Sequence, residues 1–207
     1  MGLISNGTTI FDAGAMAAGT GGSMVFIKKL TASTSSTVDF VDGTSDVVLD
    51  GTYKEYLFTF NNMHPSAGAL FQFQGNASGG SGFNETMTTT FFYAIADEAD
   101  TDTALTYKDD KDLAQSTDYA TISADGTNVD NDGALSGYLH LFAPSSTTFV
   151  KHYVSRISNP NGTGASTYMC DCFSAGYFNT TSAIDEISFK FASGNIDAGD
   201  ICLYGIL

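Results

Sequence analysis

The sequence has no tryptophan, only 3 prolines and only 8 lysines and arginines in 207 residues. The shortage of basic residues leaves a formal net charge of −15. This charge disfavours nucleic-acid binding, which needs a lysine and arginine patch to neutralise phosphates. It disfavours an anionic membrane surface for the same reason. We therefore expect no nucleic-acid and no membrane partner, and we interpret the acidity as a source of solubility and self-repulsion.

Cysteine is also scarce, because Cys170, Cys172 and Cys202 are the 3 present. An odd number without regular spacing is not typical of a disulfide-stapled secreted domain. Since Cys170 and Cys172 lie two residues apart, a strand would direct both to one face as small buried hydrophobic groups. Residues 1–6 have neither the basic start nor the apolar core of a secretory signal. We therefore expect synthesis and folding in the cytoplasm.

The residues that are abundant predict an all-β fold. The chain has 16 phenylalanines, 10 tyrosines and 22 glycines, and 43% of it is hydrophobic. In residues 184–191, Ile187, Phe189 and Phe191 alternate with polar residues, which is the period of a half-buried strand. Similar patterns, separated by polar turns, predict an antiparallel two-sheet sandwich that is jelly-roll-like. The predicted strands are 24–30, 37–41, 46–49, 53–60, 69–74, 86–95, 119–123, 137–143, 148–157, 167–178, 184–191 and 201–207.

The first 23 residues differ from the remainder, so we divide the chain into an N-terminal arm (1–23) and a β-sandwich domain (24–207). Residues 2–12 could form a short edge strand, whereas residues 13–22 are rich in glycine and alanine and are flexible by composition. We expect an extended arm that docks on a neighbouring subunit. Its predicted partner-binding residues are Leu3, Ile4, Ile10, Phe11 and Met16.

One acidic turn is a candidate calcium site. Residues 128–133 resemble the first half of a calcium loop, in which oxygen ligands alternate and a glycine permits a sharp turn. The predicted metal ligands are Asn128, Asp130 and Asp132, followed by Gly133. The position where such a loop places a bidentate glutamate is Leu139, and Asp125 is near enough in sequence to contribute. A solvated acidic turn is the alternative interpretation, and we expect no other cofactor.

No catalytic constellation is visible. The chain has three histidines, His64, His140 and His152, and lacks the Gly-x-Ser-x-Gly motif of a nucleophile elbow. His140 and His152 fall in neighbouring predicted strands, where they could pair. The acidic pairs at 97–98 and 109–110 could in principle serve a glycosidase, but isolated acidic pairs in loops are usually solvated. We therefore predict no catalytic residues and no enzymatic activity.

Sugar binding is an alternative, although tryptophan, the side chain most favoured for stacking on sugars, is absent. The tyrosines that could replace it are Tyr93, Tyr107, Tyr119 and Tyr168.

Several segments carry a resemblance to a known family. They include GSMVFIKKLTAS (22–33), SDVVLD (45–50), YKEY (53–56), DLAQST (112–117), LFAPSSTTFVKH (141–152), AGYFNT (175–180), SGNI (193–196) and LYGI (203–206). Over nearly its whole length the chain resembles proteins encoded by marine tailed phages that infect picocyanobacteria and SAR11-type bacteria. Members of that family are virion structural or fibre-like proteins, and their motifs bring no catalytic residues. The resemblance implies a role on the virion without giving a position on the particle.

The expected function is therefore that of a non-enzymatic structural protein on the outer surface of a tailed-phage virion. Capsid decoration, also called a cement role, is favoured because the chain has no repetitive stalk of the kind that precedes a fibre head. The alternative is a tail fibre or a receptor-binding adhesin that could bind glycans. The expected partners are other copies of the chain, as a homotrimer, and virion proteins such as the major capsid protein or tail proteins. The expected location is the virion surface, after synthesis in the host cytoplasm.

Overall fold

The computed structural model describes residues 3–5, 8–12, 15–16, 23–124, 126–161 and 167–207. Within these residues the chain forms sixteen strands and one 3-10 turn at Asp109–Lys111. The strands are β1 (Leu3–Ser5), β2 (Thr8–Asp12), β3 (Ala15–Met16), β4 (Met24–Ser35), β5 (Val38–Val41), β6 (Glu55–Pro65), β7 (Phe71–Ala77), β8 (Met87–Asp97), β9 (Thr103–Tyr107), β10 (Ala114–Ser116), β11 (Ala120–Thr121), β12 (Leu135–Phe142), β13 (Lys151–Asn161), β14 (Tyr168–Phe178), β15 (Ile184–Phe191) and β16 (Ile196–Ile206).

Two antiparallel sheets pack together and confirm the predicted all-β sandwich. The larger sheet has nine strands in the order β10-β8-β14-β13-β12-β6-β16-β4, and β9 also pairs with β8. The smaller sheet has four strands in the order β11-β7-β15-β5. In the described part of the chain no helix has the length and apolar character needed to cross a membrane.

The core between the two sheets is built mainly from phenylalanine. Phe189 on β15 is fully buried, and its ring centroid lies 5.3 Å from that of Phe58 and 5.1 Å from that of Phe60 on the facing strand β6. Phe40 on β5 packs edge-on against Phe58 at 5.3 Å. These edge-to-face contacts are the geometry that aromatic rings prefer, so they add to the energy gained from burial alone.

The N-terminal strands pair with one another instead of joining an edge of the sandwich. β1, β2 and β3 form a separate three-stranded sheet, in which Leu3 stands opposite Phe11 and Phe11 stands opposite Met16. The expected edge strand is therefore a hairpin strand within this small sheet. The side chains of Leu3, Ile4, Ile10, Phe11 and Met16 lie outside the described part of the structure. Docking of the arm on a neighbouring subunit stays a prediction.

One predicted strand, at 46–49, is wrong. Ser45 and Asp46 have positive φ angles of 52° and 66°, which are turn conformations. The main-chain N–H of Leu49 donates to the Asp42 carboxylate at 2.8 Å, and Val47 and Leu49 are buried. The apolar pattern was therefore a sign of core contact, and the backbone there belongs to a hydrogen-bonded loop.

Candidate interface on the nine-stranded sheet

The predicted calcium turn is held together by its own hydrogen bonds. Asn128 Nδ2 donates to Asp130 Oδ2 at 3.0 Å, and the N–H of Gly133 donates to the Asp130 carbonyl at 2.7 Å. The His64 ring lies 3.1 Å from the same carbonyl. No group of three or more histidine, cysteine, aspartate or glutamate side chains is placed to hold a metal in the described residues, which do not include Asp125.

The three proposed ligands Asn128, Asp130 and Asp132 nonetheless share one turn. Calcium binding there stays a prediction. Calorimetric titration of the wild type and of Asp130→Asn with calcium tests it.

The cysteines and histidines occupy structural positions. Cys170 and Cys172 are both buried on β14, as predicted from their spacing. His140 Nε2 lies 3.1 Å from Glu55 Oε2 on β6, and its ring packs against Phe142 with centroids 4.8 Å apart. His152 lies on the adjacent strand β13, so the predicted neighbourhood of the two histidine strands is confirmed.

In each acidic pair weighed for a glycosidase, one carboxylate bonds to residues nearby in the sequence. The Asp97 carboxylate accepts from Thr101 and from the N–H of Asp102, and these bonds lower its pKa. The pKa of Asp110 is lowered mainly by the Lys111 ammonium group 2.8 Å away. A general acid in a glycosidase needs a raised pKa, so both carboxyl groups are shifted in the opposite direction.

A hollow lies beside the four-stranded sheet. Its volume is about 590 Å³, and its lining is largely polar and charged. The Lys190 ammonium lies 4.0 Å from the centroid of the Tyr119 ring, and the Tyr107 hydroxyl donates to the Asp112 carboxylate. Lys190, Tyr119 and Asp112, which line the hollow, therefore each have a partner within the chain.

The outer face of the four-stranded sheet is polar and is covered by loops. Gln74 on β7 is completely buried, although it points away from the core. Its Nε2 donates to the carbonyls of Glu85, Thr117 and Asp118 at 3.0, 3.2 and 2.9 Å. The loops before β8 and before β11 therefore cover this face around Gln74, whereas Asp39 in the same row on β5 is exposed.

The nine-stranded sheet has the opposite arrangement. We call the side that points away from the four-stranded sheet the outer face. A sheet with one face in water normally has polar residues there, but this outer face has large apolar side chains exposed on several strands. The large apolar residues exposed on this face are Met24, Phe26, Phe92, Leu105, Tyr107, Tyr138, Val154 and Met169.

Strand register aligns these residues into rows across the sheet. The aromatic row consists of Tyr107, Phe92, Phe173, Arg156 and Tyr138, which stand opposite one another on β9, β8, β14, β13 and β12. A second row, the mixed row, consists of Phe26, Tyr204, Leu57, His140, Val154, Ala175 and Thr90 on successive strands from β4 to β8. Apolar and aromatic side chains therefore occupy most positions of the two rows across the sheet.

The aromatic row is rigid. The rings of Phe92 and Phe173 are stacked with centroids 4.9 Å apart and planes inclined by 4°. The Arg156 guanidinium lies 4.9 Å from the Phe173 centroid and donates two hydrogen bonds, at 2.9 and 2.7 Å, to the Asp171 carboxylate. The ion pair raises the pKa of Arg156. Because the ring spacing matches the strand spacing of about 4.8 Å, the rings stand upright and present their edges to solvent.

Three shallow hollows lie along this face. One, of about 340 Å³, is lined by residues that include Tyr138, Arg156 and Met169. Another, of about 170 Å³, separates Phe92 and Phe173 from Tyr138. The third, of about 320 Å³, runs past His152 and Tyr177. The face is therefore grooved.

The two rows and the positions beside them have nearly balanced charge. The charged residues there are Lys29, Arg156, Glu55, Asp171 and Asp200. Lys29 Nζ lies 3.3 Å from Asp200 Oδ2, so both cations have an acidic partner. This part of the surface differs sharply from a chain whose formal net charge is −15.

The sequence prediction missed the outer face. The available signal was the presence of large apolar residues on both faces of one strand, as with the neighbouring Phe91 and Phe92 on β8.

No protein-family model matches the chain, and neither a curated protein nor a solved structure matches it. The interpretation of this face therefore depends on its geometry.

Proposed function

We propose that this chain is a non-enzymatic structural protein on the outer surface of a tailed-phage virion, and that it joins other subunits through its outer face. The observation that carries the assembly role is the aromatic row in its apolar, nearly neutral surroundings. Exposed apolar patches larger than a few hundred Å² are rare on proteins that work alone, and they mark interaction sites. The resemblance to marine phage proteins supports the assignment of this chain to a phage particle.

Within the virion, we propose capsid decoration. A broad sheet face suits attachment to a broad surface such as a capsid shell, and it leaves the acidic loops in solvent. Repetition of the same contact over a symmetric shell would allow many weak contacts to give firm attachment through multivalency.

The location is tested by labelling purified virions with a gold-tagged antibody to this protein and imaging them by electron microscopy. Label spread over the head is the expected result. Label confined to the tail would replace decoration with a fibre or receptor-binding role, and absence of label from the virion would contradict the whole proposal.

The attachment surface is tested with a pair of matched valine variants. Val154→Asp places a charge in the mixed row, whereas Val129→Asp places it in the 128–133 turn, and the two valines are similarly exposed, 42% and 47%. Each variant is added to particles that lack the protein, and the bound fraction is measured by sedimentation. We expect Val154→Asp to lose attachment and Val129→Asp to retain it. Equal attachment by the two variants would contradict the proposed surface.

A further inference from the structure

We propose that the outer face of the nine-stranded sheet packs against the same face of a second copy of this chain, as two sheets pack in a β-sandwich. The inference rests on the proposed function only in assigning the outer face to assembly. It goes further by naming the occupant of that face in the free protein as another copy of the chain, and the pair must separate before the same face can contact a capsid shell.

The geometry of twisted sheets favours an identical partner. All β-sheets of L-amino acids twist with the same hand, and two such sheets pack face to face with their strands inclined by about 30°. Two copies related by a two-fold axis present equal twist to each other. The aromatic row of each copy would then cross the row of its partner near the axis, where Arg156 and Tyr138 lie at the middle of the sheet.

The size of the face is sufficient for a stable pair. Eight strands lie along the pairing order, which gives a width of roughly 34 Å at about 4.8 Å per spacing. About seven residues per strand add roughly 23 Å of length at about 3.3 Å per residue. The resulting area is on the order of 800 Å² per copy, which is the usual contribution of one partner to a stable interface.

Charge restricts where two copies can meet. Two chains that each carry −15 repel each other wherever acidic loops face acidic loops. On the outer face, Arg156 and Lys29 are already paired with Asp171 and Asp200, so contact there brings together nearly neutral surfaces. Arg156 is the single arginine of the chain, and it lies in the aromatic row.

The orientation of the Phe92 and Phe173 rings favours a protein sheet over a sugar as the occupant of the outer face. A sugar stacks on the flat face of an aromatic ring, but Phe92 and Arg156 lie against the two faces of Phe173, which exposes its edge, and Phe173 covers one face of Phe92. Edges are what a facing sheet meets when side chains interdigitate. The hollow of about 170 Å³ between these rings and Tyr138 offers space for a side chain of the second copy.

The test is the mass of the protein in solution, measured by sedimentation equilibrium over a range of concentrations. We expect the wild type to show twice the 21.8 kDa mass of the chain. Val154→Asp should raise the dimer dissociation constant at least tenfold, and Val129→Asp should leave it unchanged. Circular dichroism spectra check that each variant is folded.

A second variant covers the case in which Val154→Asp fails to fold. Thr90→Glu adds a charge at an exposed position of the mixed row, where the side chain is already in water, and it should also dissociate the pair. A wild type that stays at the mass of one chain would overturn the inference, as would the mass of a trimer. A dimer that resists both outer-face variants would overturn it equally.

The same proteins separate this inference from the proposed function. If the wild type is a monomer that binds particles and the Val154→Asp variant does not bind them, the pairing is refuted and the attachment role stays in place. A dimer that dissociates on Val154→Asp but never binds virions would support the pairing and refute the virion role.

Discussion

Phe189 is the position at which a single truncation should damage the fold most clearly. Its side chain is fully buried on β15, and its ring packs within 5.1–5.3 Å of Phe58 and Phe60 across the core. It also stacks on Phe71 of its own sheet, with centroids 6.1 Å apart. Phe189→Ala would therefore remove a ring that contacts aromatic rings of both sheets.

The expected cost can be estimated from burial and cavity formation. Truncation of a buried phenylalanine to alanine typically costs about 3–5 kcal/mol. We expect about 4–5 kcal/mol for Phe189→Ala, because the rings of Phe58, Phe60 and Phe71 belong to strands paired on both sides and cannot readily close the cavity. Since domains are stable by only about 5–15 kcal/mol, this loss should be visible as a large shift of the unfolding transition.

The assay is equilibrium unfolding in urea, followed by far-ultraviolet circular dichroism, with the slope of the transition checked for two-state behaviour. Phe149→Ala is the matched control, because Phe149 is 73% exposed and its truncation should change the free energy of unfolding by less than about 0.5 kcal/mol. A loss below about 1.5 kcal/mol for Phe189→Ala would refute the assignment of this ring to the centre of the core.

Two further predictions concern a buried charge and a turn. Lys151 is buried, its Nζ donates to the Thr180 carbonyl at 3.1 Å, and desolvation lowers its pKa below the usual 10.5. The unfolded state therefore binds more protons between the two pKa values, so the free energy of unfolding should rise with pH in the alkaline range just below 10.5. Lys151→Met should flatten that rise, and an unchanged slope in the variant would contradict it. At Gly133, an added Cβ would lie 2.0 Å from the Asn128 carbonyl oxygen, so Gly133→Ala should lower stability by about 1–3 kcal/mol, whereas Gly51→Ala, whose Cβ meets one atom at 3.7 Å, should not. Thermal unfolding compares these two variants, and equal midpoints would show that the turn accommodates the methyl group.

Strands with one buried face were predictable from the sequence. The predicted strand at 184–191 has the bounds of β15, and the predicted strand at 167–178 differs from β14 by one residue. Alternation of Ile187, Phe189 and Phe191 with polar residues gives a strand both its period and its core face. The same signal was sufficient to predict a sandwich.

The ends of some strands depend on contacts with residues that are distant in the sequence. β6 continues past Phe60 to Pro65, through Asn62 with a φ angle of 51°. This irregular segment remains paired because Ile196 on β16 stands opposite Pro65, and the N–H of Asn62 donates to the Ser136 hydroxyl at 3.0 Å. Both partners lie more than 70 positions away in the sequence, so the predicted strand end at Phe60 was wrong for a tertiary reason.

The outer face was beyond sequence reasoning for a similar reason. Phe92, Phe173 and Arg156 are far apart along the chain, and only the antiparallel registers of β8, β14 and β13 place them side by side. Period-two alternation identifies the two faces of one strand. It does not specify which strands are neighbours, nor which face the second sheet covers.

The position of β16 has a consequence for synthesis of the protein. β16 lies between β4 and β6, so Ile206 stands opposite both Met24 and Glu55. During translation the seam between these two strands must stay open until residues 196–206 have left the ribosome. Until then the nascent chain exposes apolar strand faces, a condition that favours aggregation and chaperone capture. We expect the large sheet to form only once residues 196–206 have emerged, and ribosome-bound chains that stop before residue 196 to remain sensitive to protease.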